Sequence, residues 1–260
     1  MRLMTYNILN GGRDAAGDAR LGQVCELVRR VAPDVLVLEE CNDFERDGFR
    51  TFHRVERELG LRGLFAPASS GYHVALFVRA AQPLEVRVLD REVHHSAIAA
   101  TLELGEQRFT VIGAHLCPFS GEVRAAEAQQ LSRFFGAGHI FLLGDLNSIS
   151  PHDGAGLRRD AWLPRRRVRH ELAGTGGQLD TRAIGAIEAC GLIDTLRARD
   201  ASSPTVQTPL CPEHRDYQIR IDYIFASPSA AERVTRAERI DGALADHASD
   251  HYALAVDVAL

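Results

Sequence analysis

The chain has 260 residues and a formal charge of −5, with 45% hydrophobic and 25% charged residues. This is an ordinary globular composition with enough chain to bury a substantial core without staples. It excludes a protein that clings to polyanions over its whole surface, and no apolar run approaches membrane-spanning length. The five cysteines (Cys25, Cys41, Cys117, Cys190 and Cys211) are widely separated, with neither a C-x-x-C pair nor zinc-finger spacing. They read as small buried hydrophobes in a reducing compartment. Met1 runs directly into a strand-like segment with no basic leader, so a cytoplasmic location is expected.

In chain order, Arg2 to Leu9 is β-rich and ends in Asn10-Gly11-Gly12, a loop signal. Leu21, Val24, Cys25, Val28 and Val31 fall at helical spacing and predict an amphipathic helix over 20–31. Val35 to Leu38 is a continuous apolar run, the mark of a strand covered on both faces. A second helix is expected over 46–59, with Phe49, Phe52, Val55 and Leu59 inward and Gly60 as its stop. Strands are predicted over 74–78, 84–89, 98–104 and 109–116, the last two joined by a hairpin turn at Gly105-Glu106. A helix over 120–135, a buried strand over 140–143, a long loop over 147–177, a helix over 181–190 closed by Gly191, and strands over 219–225 and 252–258 complete the pattern. No linker or repeat interrupts it. One α/β domain spanning 1–260 is expected, with two packed sheets and helices outside them.

Several apolar strands end in acidic or amide residues: Glu39-Glu40 after Leu36-Val37-Leu38, Asp145-Leu146-Asn147 after Phe141 to Gly144, and Asp222-Tyr223 after Ile219 to Ile221. Ser249-Asp250-His251 opens the last strand. In α/β sheets such rims bind ligands. Crowded carboxylates repel unless a cation neutralises them, and oxygen ligands suit a hard ion such as Mg²⁺ or Mn²⁺. Strand alternation sends Glu39 and Glu40 to opposite faces, so only one is expected at the site. Taken singly, each acid reads as a solvated strand end.

Together the pieces Thr5-Tyr6-Asn7-Ile8, Leu38-Glu39-Glu40, Ala114-His115-Leu116, Gly144-Asp145-Leu146-Asn147, Arg220 to Phe225 and Ser249-Asp250-His251 resemble the endonuclease/exonuclease/phosphatase superfamily, the deoxyribonuclease-like phosphoesterases. They occur in that family's order. The resemblance implies a four-layer sandwich: two packed mixed β-sheets flanked by helices. It implies metal ligation by Glu40, Asp250 and Asn7, and a water-orienting or water-deprotonating role for Asp145. It further implies that Asn147 donates to the developing phosphorane oxygens, that His251 contacts the scissile phosphate, and that Asp222 holds that histidine in its cationic form. His115 corresponds to the second histidine, which binds phosphate or protonates the leaving oxygen. Related proteins often pair that histidine with a glutamate before the strand at 74–78. Here the stretch reads Ser70-Gly71-Tyr72-His73, which leaves Tyr72 or His73 to take that place, although His73 reads as structural.

A basic stretch, Arg158 to Arg169 around Trp162 and Pro164, follows Asn147. It reads either as a phosphate-binding lip, with Arg165 and Arg167 as anion contacts and Trp162 stacking on a base, or as a solvated loop. His94, His95 and His170 are expected at the surface. Cys211, Glu213 and His214 are candidates for a loop over the site, though their spacing demands no metal. No G-x-S-x-G, P-loop or H-E-x-x-H motif is present, so direct attack by water is the simplest mechanism. The expected function is a divalent-metal-dependent phosphoesterase acting on a phosphodiester or phosphomonoester. A nuclease acting on DNA or RNA is the alternative, and the negative charge leans toward a compact phosphoester. A catalytically silent binding module on the same scaffold would have lost one of Glu40, Asp145, Asp222, Asp250 or His251, and all are present. The expected partner is a phosphorylated small molecule or a nucleic acid as substrate; neither a membrane nor a partner protein is implied.

Overall fold

A computed structural model describes the chain except residues 16, 80–81, 105–106, 154–178, 200, 202 and 212–217. Two six-stranded mixed sheets pack face to face. The first has the order β11-β12-β1-β2-β4-β3: Val234–Arg239, Leu254–Val258, Arg2–Asn7, Val35–Glu39, Val74–Val78 and Arg62–Ala66. The second runs β5-β6-β7-β8-β10-β9: Pro83–Leu89, Ala97–Leu104, Gln107–His115, His139–Asp145, Asp222–Ala226 and Ile193–Asp194. The helical elements used below are α1 (Leu9–Gly12), α2 (Ala19–Val31), α3 (Arg46–Leu59), α4 (Gly121–Leu131), α5 (Arg182–Ala189), α6 (Pro228–Ala231) and α7 (Ala245–Ala248).

The apolar residues sort into layers by strand parity, as alternation requires. Met4, Tyr6, Leu36 and Leu38 face outward and pack with Leu21, Val24, Val28, Phe52 and Val55 of α2 and α3. Ile112, Ala114, Leu142, Tyr223 and Phe225 pack with Ala128 and Leu131 of α4 and Ile184 and Ile187 of α5. Leu3, Val35 and Val37 meet Phe109, Val111, Phe141, Leu143 and Ile224 between the sheets. The result is the expected order of helices, sheet, sheet and helices. The sheets approach closely at Gly113, where a Cβ would lie 2.7 Å from Val37 Cγ1.

Most predicted elements form within a residue or two of their expected ends. Phe49 departs from its expected inward position: Asp47, Gly48 and Phe49 take left-handed backbone, and Phe49 is 38% exposed. The buried stripe of α3 is Phe52, Val55 and Leu59. The helix ends at Gly60, whose φ of 63° is the left-handed stop that glycine favours. The expected 219–225 strand is regular only from Asp222, with Ile219 in an isolated bridge to Val206. The hairpin turn at Gly105-Glu106 lies outside the described residues, while the strands flanking it pair antiparallel, Leu104 opposite Gln107.

Candidate active site

Parity also places the site. The inter-sheet positions continue past the last apolar residue of each strand into polar ones: Thr5 and Asn7 on β1, Glu39 on β2, His115 on β7, Asp145 on β8 and Asp222 on β10. Register lines them up. Asn7 is paired with Glu39 across the first sheet, and His115 with Asp145 and Asp145 with Asp222 across the second. The polar cluster is therefore the final layer of the inter-sheet core, and its members are buried. Close approach at β8 requires Gly144: its φ is 148°, and a Cβ there would lie 1.8 Å from the Ala114 carbonyl oxygen.

Glu40 and Asn147 follow strand ends and carry φ values of 59° and 46°, left-handed conformations rare outside glycine and costly enough to persist mainly where a site needs them. At Glu40 the turn brings the carboxylate back over the rim, where Oε2 accepts from the Asn10 backbone N–H at 2.8 Å and Oε1 from Asn7 Nδ2 at 3.3 Å. Glu39, one residue earlier, is fully buried in the inter-sheet layer and accepts from Thr5 Oγ1 at 2.6 Å. Both acids thus reach the site region. The alternation argument for only one fails because Glu40 lies beyond the strand, in left-handed backbone. Burial, with Asp222 and Asp145 nearby, lifts Glu39 well above the usual carboxylate range.

Asn7 joins two subclusters. Its Nδ2 also donates to Asp145 Oδ2 at 3.0 Å, while its Oδ1 accepts from the Leu9 backbone N–H at 3.1 Å. On the Glu40 side, burial raises the Glu40 pKa, and the charge of Asp250 raises it further. On the other side, ligand atoms of Asp145, Asp222 and His251 lie within 4.8 Å of one another. His251 Nδ1 sits 2.9 Å from Asp222 Oδ2 and 3.2 Å from Oδ1, and its Nε2 is 3.8 Å from Asp145 Oδ2. Burial opposes protonation of His251, but Asp222, Asp250 and Asp145 outweigh it and hold its pKa well above the usual imidazole range. Asp145 is raised by burial and by the Asp222 carboxylate, although its Oδ1 accepts from the Asn147 backbone N–H at 2.9 Å. Asn147 Nδ2 donates to the Leu116 carbonyl at 3.0 Å.

His115 Nε2 is 3.5 Å from Asp145 Oδ2, and its Nδ1 makes no hydrogen bond among the described residues. Neither Tyr72 nor His73 reaches it. His73 accepts from the Ala68 backbone N–H at 2.9 Å and pairs with Glu45 at 3.0 Å. The ring against His115 is His95, with centroids 4.4 Å apart. Tyr72 also packs against His95, with ring centroids 4.9 Å apart, and His95 Nδ1 is 2.7 Å from Ser70 Oγ. His95 is buried, contrary to the expectation of a surface residue: it immediately precedes the Ser96 carbonyl that accepts from the His115 backbone N–H, so the sheet carries it inward. Burial and the neighbouring His94 push its pKa down to about 3. Burial, with the other histidines, likewise keeps His115 neutral.

Further residues shape the site without any motif to mark them. Arg20, buried on α2, donates to the carbonyls of Ile8 (2.6 Å), Ala248 (2.9 Å), Arg13 (2.8 Å) and Leu9, clamping the segments after Asn7 and before Ser249. Ser249 Oγ donates to the Asn7 carbonyl at 2.7 Å, tying the Asp250-His251 segment to β1. Glu127 of α4 accepts from the backbone N–H groups of His94 at 2.6 Å and Cys117 at 2.8 Å. Thr205 Oγ1 accepts from the N–H of Ile221 and Asp222. A polar residue inside an apolar segment was the available signal for Thr5; Arg20 sits in an ordinary amphipathic helix and Glu127 in one rich in Ala, Glu and Gln, and neither gave any.

Arg165, Arg167 and Trp162, with the rest of the basic stretch and His170, lie outside the described residues, as do Glu213 and His214. Exposed apolar surface near the site comes instead from Phe119, 61% exposed, whose ring meets His94 edge-on.

The donor set fits a hard divalent cation. Glu40, Asp145 and Asp250 offer oxygens, and burial first, then the neighbouring carboxylates, raise the pKa values of Glu40 and Asp145, a crowding that a bound cation would relieve. Asp222 is committed to His251, so the carboxylates beside Asn7 are the freer ones.

The model of the Endonuclease/Exonuclease/phosphatase family matches residues 4–251. No curated protein matches the chain by sequence. Among solved structures, an AP endonuclease from Archaeoglobus fulgidus aligns over 100% of both chains at 21% identity with a TM-score of 0.70. An endonuclease/exonuclease/phosphatase family protein from Leptotrichia buccalis aligns over 100% of both chains at 15% identity, TM-score 0.72. A 3′-5′ exonuclease from Neisseria meningitidis aligns over 99% of each chain at 21% identity, TM-score 0.69. At these identities the likeness establishes the fold.

Proposed function

Because the chain belongs to the endonuclease/exonuclease/phosphatase family, whose members are hydrolases acting on phosphoesters, we propose that it is a divalent-metal-dependent phosphoesterase in which water attacks phosphorus directly. The observation that carries this reading is the convergence of Asn7, Glu40, Asp145, Asn147, Asp222 and His251, from five separate stretches of chain, onto one rim.

Glu40 and Asp250, with Asn7 between the two subclusters, would hold the cation, Mg²⁺ or Mn²⁺. When bound, the ion supplies charge neutralisation at a non-bridging phosphoryl oxygen. Asp145 orients the attacking water and takes its proton. Its raised pKa gives it more basicity than a solvent-exposed carboxylate, while Asn7 and the Asn147 N–H fix its two oxygens. His251, held cationic by Asp222, donates through Nε2 to the phosphoryl group, where negative charge grows during attack. Asn147 and neutral His115 face the same region as hydrogen-bonding groups, His115 toward the leaving oxygen. Arg165, Arg167 and Trp162 remain proposed substrate contacts on sequence grounds.

The nuclease reading is favoured by one observation: the endonuclease of A. fulgidus and the exonuclease of N. meningitidis resemble this chain over its full length. The net charge of −5 favours a compact phosphoester or a nucleic-acid end over long duplex DNA. Among the described residues no helix is long and apolar enough to cross a membrane, and a cytoplasmic location remains part of the proposal.

The deciding experiment is a panel comprising bis-p-nitrophenyl phosphate, p-nitrophenyl phosphate, phosphorylated metabolites and end-labelled DNA and RNA. Each substrate is assayed with Mg²⁺, Mn²⁺ or EDTA, beside Asp145→Ala and His251→Ala. Turnover that needs the cation and both residues supports the reading, and the substrate turned over fastest assigns its class. Turnover in EDTA, or intact in either variant, refutes the mechanism.

A further inference from the structure

Strand β5 is the free edge of the second sheet, bonded only to β6. Leu84, Val86 and Val88 are 51%, 42% and 37% exposed, Glu85 and Arg87 are exposed as well, and a bulge between Pro83 and Glu85 leaves the strand regular from Glu85 onward. Val86 and Val88 lie opposite Ala100 and Ile98 of β6, whose side chains belong to the inter-sheet core. The first sheet ends at β3, which packs against β6. The apolar face of β5 thus extends the core layer beyond the sheet that covers it. Long edge strands with apolar side chains are templates for pairing with another strand.

The sequence of this edge is complementary to itself. Two antiparallel copies of the regular stretch centred on Val86 place Val86 opposite Val86 and Glu85 opposite Arg87, twice over by symmetry. One face of the ribbon then carries the facing valines and the other two cross-strand pairs of opposite charge. In the single chain Arg87 Nε pairs, among the described residues, with Glu85, 2.7 Å away on its own strand and exposed. Directly opposed side chains are the unit of sheet stabilisation, and an interface on a two-fold axis must be self-complementary in this way.

We propose that β5 is a homodimerisation edge, where two copies pair antiparallel about Val86 to form a continuous twelve-stranded sheet. The contact is one strand long, smaller than a standard protein interface, so the dimer exchanges with monomer in a concentration-dependent way. The catalytic rim lies at the end of the sheet sandwich marked by His115, Asp145 and Asp222, and each copy keeps its own site.

Sedimentation velocity of the full chain from about 1 to about 500 µM tests this in a range where a small interface populates both states. The weight-average mass should rise from monomer toward dimer. Arg87→Glu places like charges opposite each other twice and should weaken dimerisation at least roughly tenfold. The swap Glu85→Arg with Arg87→Glu restores both opposite-charge pairs and should restore the dimer. Val86→Lys, which faces itself across the axis, should remain monomeric. Thermal melts confirm that each variant folds, and Val86→Lys serves should a charge variant not do so. A wild-type chain that stays monomeric throughout, an Arg87→Glu dimer as tight as wild type, or a swap that fails to recover association overturns the proposal.

Discussion

Replacing Asp222 by Asn removes one charge and almost no volume, and it isolates the element that sets the state of His251. Asp222 is 2% exposed and both of its oxygens face His251 Nδ1, at 3.2 and 2.9 Å. An amide keeps one acceptor but withdraws the countercharge. Hydrogen bonds to charged groups contribute roughly 1.5–3 kcal/mol, and breaking one side of a buried pair costs about 3–5 kcal/mol because the remaining charge is stranded. The stranded imidazolium then releases its proton, since burial is the largest influence on it and favours the neutral form. A transition-state loss of about 3 kcal/mol is expected, roughly a 150-fold fall in kcat. His251 is raised in the wild type, so the alkaline fall in activity lies above the usual imidazole range; in Asp222→Asn it moves to lower pH. Steady-state rates on a chromogenic phosphoester across pH, with histidine ¹H–¹⁵N spectra to follow His251, measure both effects. A folded variant within threefold of wild type, or an alkaline fall that does not move, refutes the reasoning.

Asp145→Asn removes the proposed proton acceptor and should lower kcat by about 10²–10⁴; a kcat above a tenth of wild type contradicts that role. Burial and His94 push the His95 pKa down to about 3 from the ordinary imidazole value of about 6.5, so its contribution is complete above about pH 6.5 and is lost as pH falls toward about 3. At pH 5 this loss is roughly 2 kcal/mol, and His95→Phe should shrink the difference in urea stability between pH 8 and pH 5 by that amount; identical pH dependence in the two proteins argues against it. Arg20→Met removes a donor from four carbonyl groups, of which Ile8 keeps the Gly12 N–H, and a loss of about 3 kcal/mol in denaturant stability is expected. A loss below about 0.5 kcal/mol, the scale of an ordinary surface substitution, shows the clamp to be dispensable.

The strands and the major helices were legible because strands covered on both faces read as continuous apolar runs, as at Val74–Val78 and Ile140–Leu143, and an amphipathic helix shows its period, as along Ala19–Val31. β3 and β11 escaped notice because they are sheet edges, with mixed burial and no clear apolar run. The polar rim was legible as a set of strand ends, and register explains why those ends meet: one hydrogen-bonded row carries His115, Asp145 and Asp222. Residues placed by irregular backbone were not legible. The left-handed turn at Glu40 defeated the alternation rule, and His95 lies just before a strand whose start the sequence does not mark sharply. Charge pattern could not distinguish clamps such as Arg20 and Glu127 from surface residues, because their function lies in the backbone groups they bind.

The proposed chemistry needs a cation seated among side chains drawn from both sheets. Crystals grown with Mn²⁺ and measured at its absorption edge address this directly. One anomalous peak bonded to the Glu40 carboxylate, beside Asn7 and Asp250 and lost in Glu40→Gln, is the expected result. A peak on another surface, or no peak at saturating Mn²⁺ in a protein that still turns over phosphoester, would contradict the account.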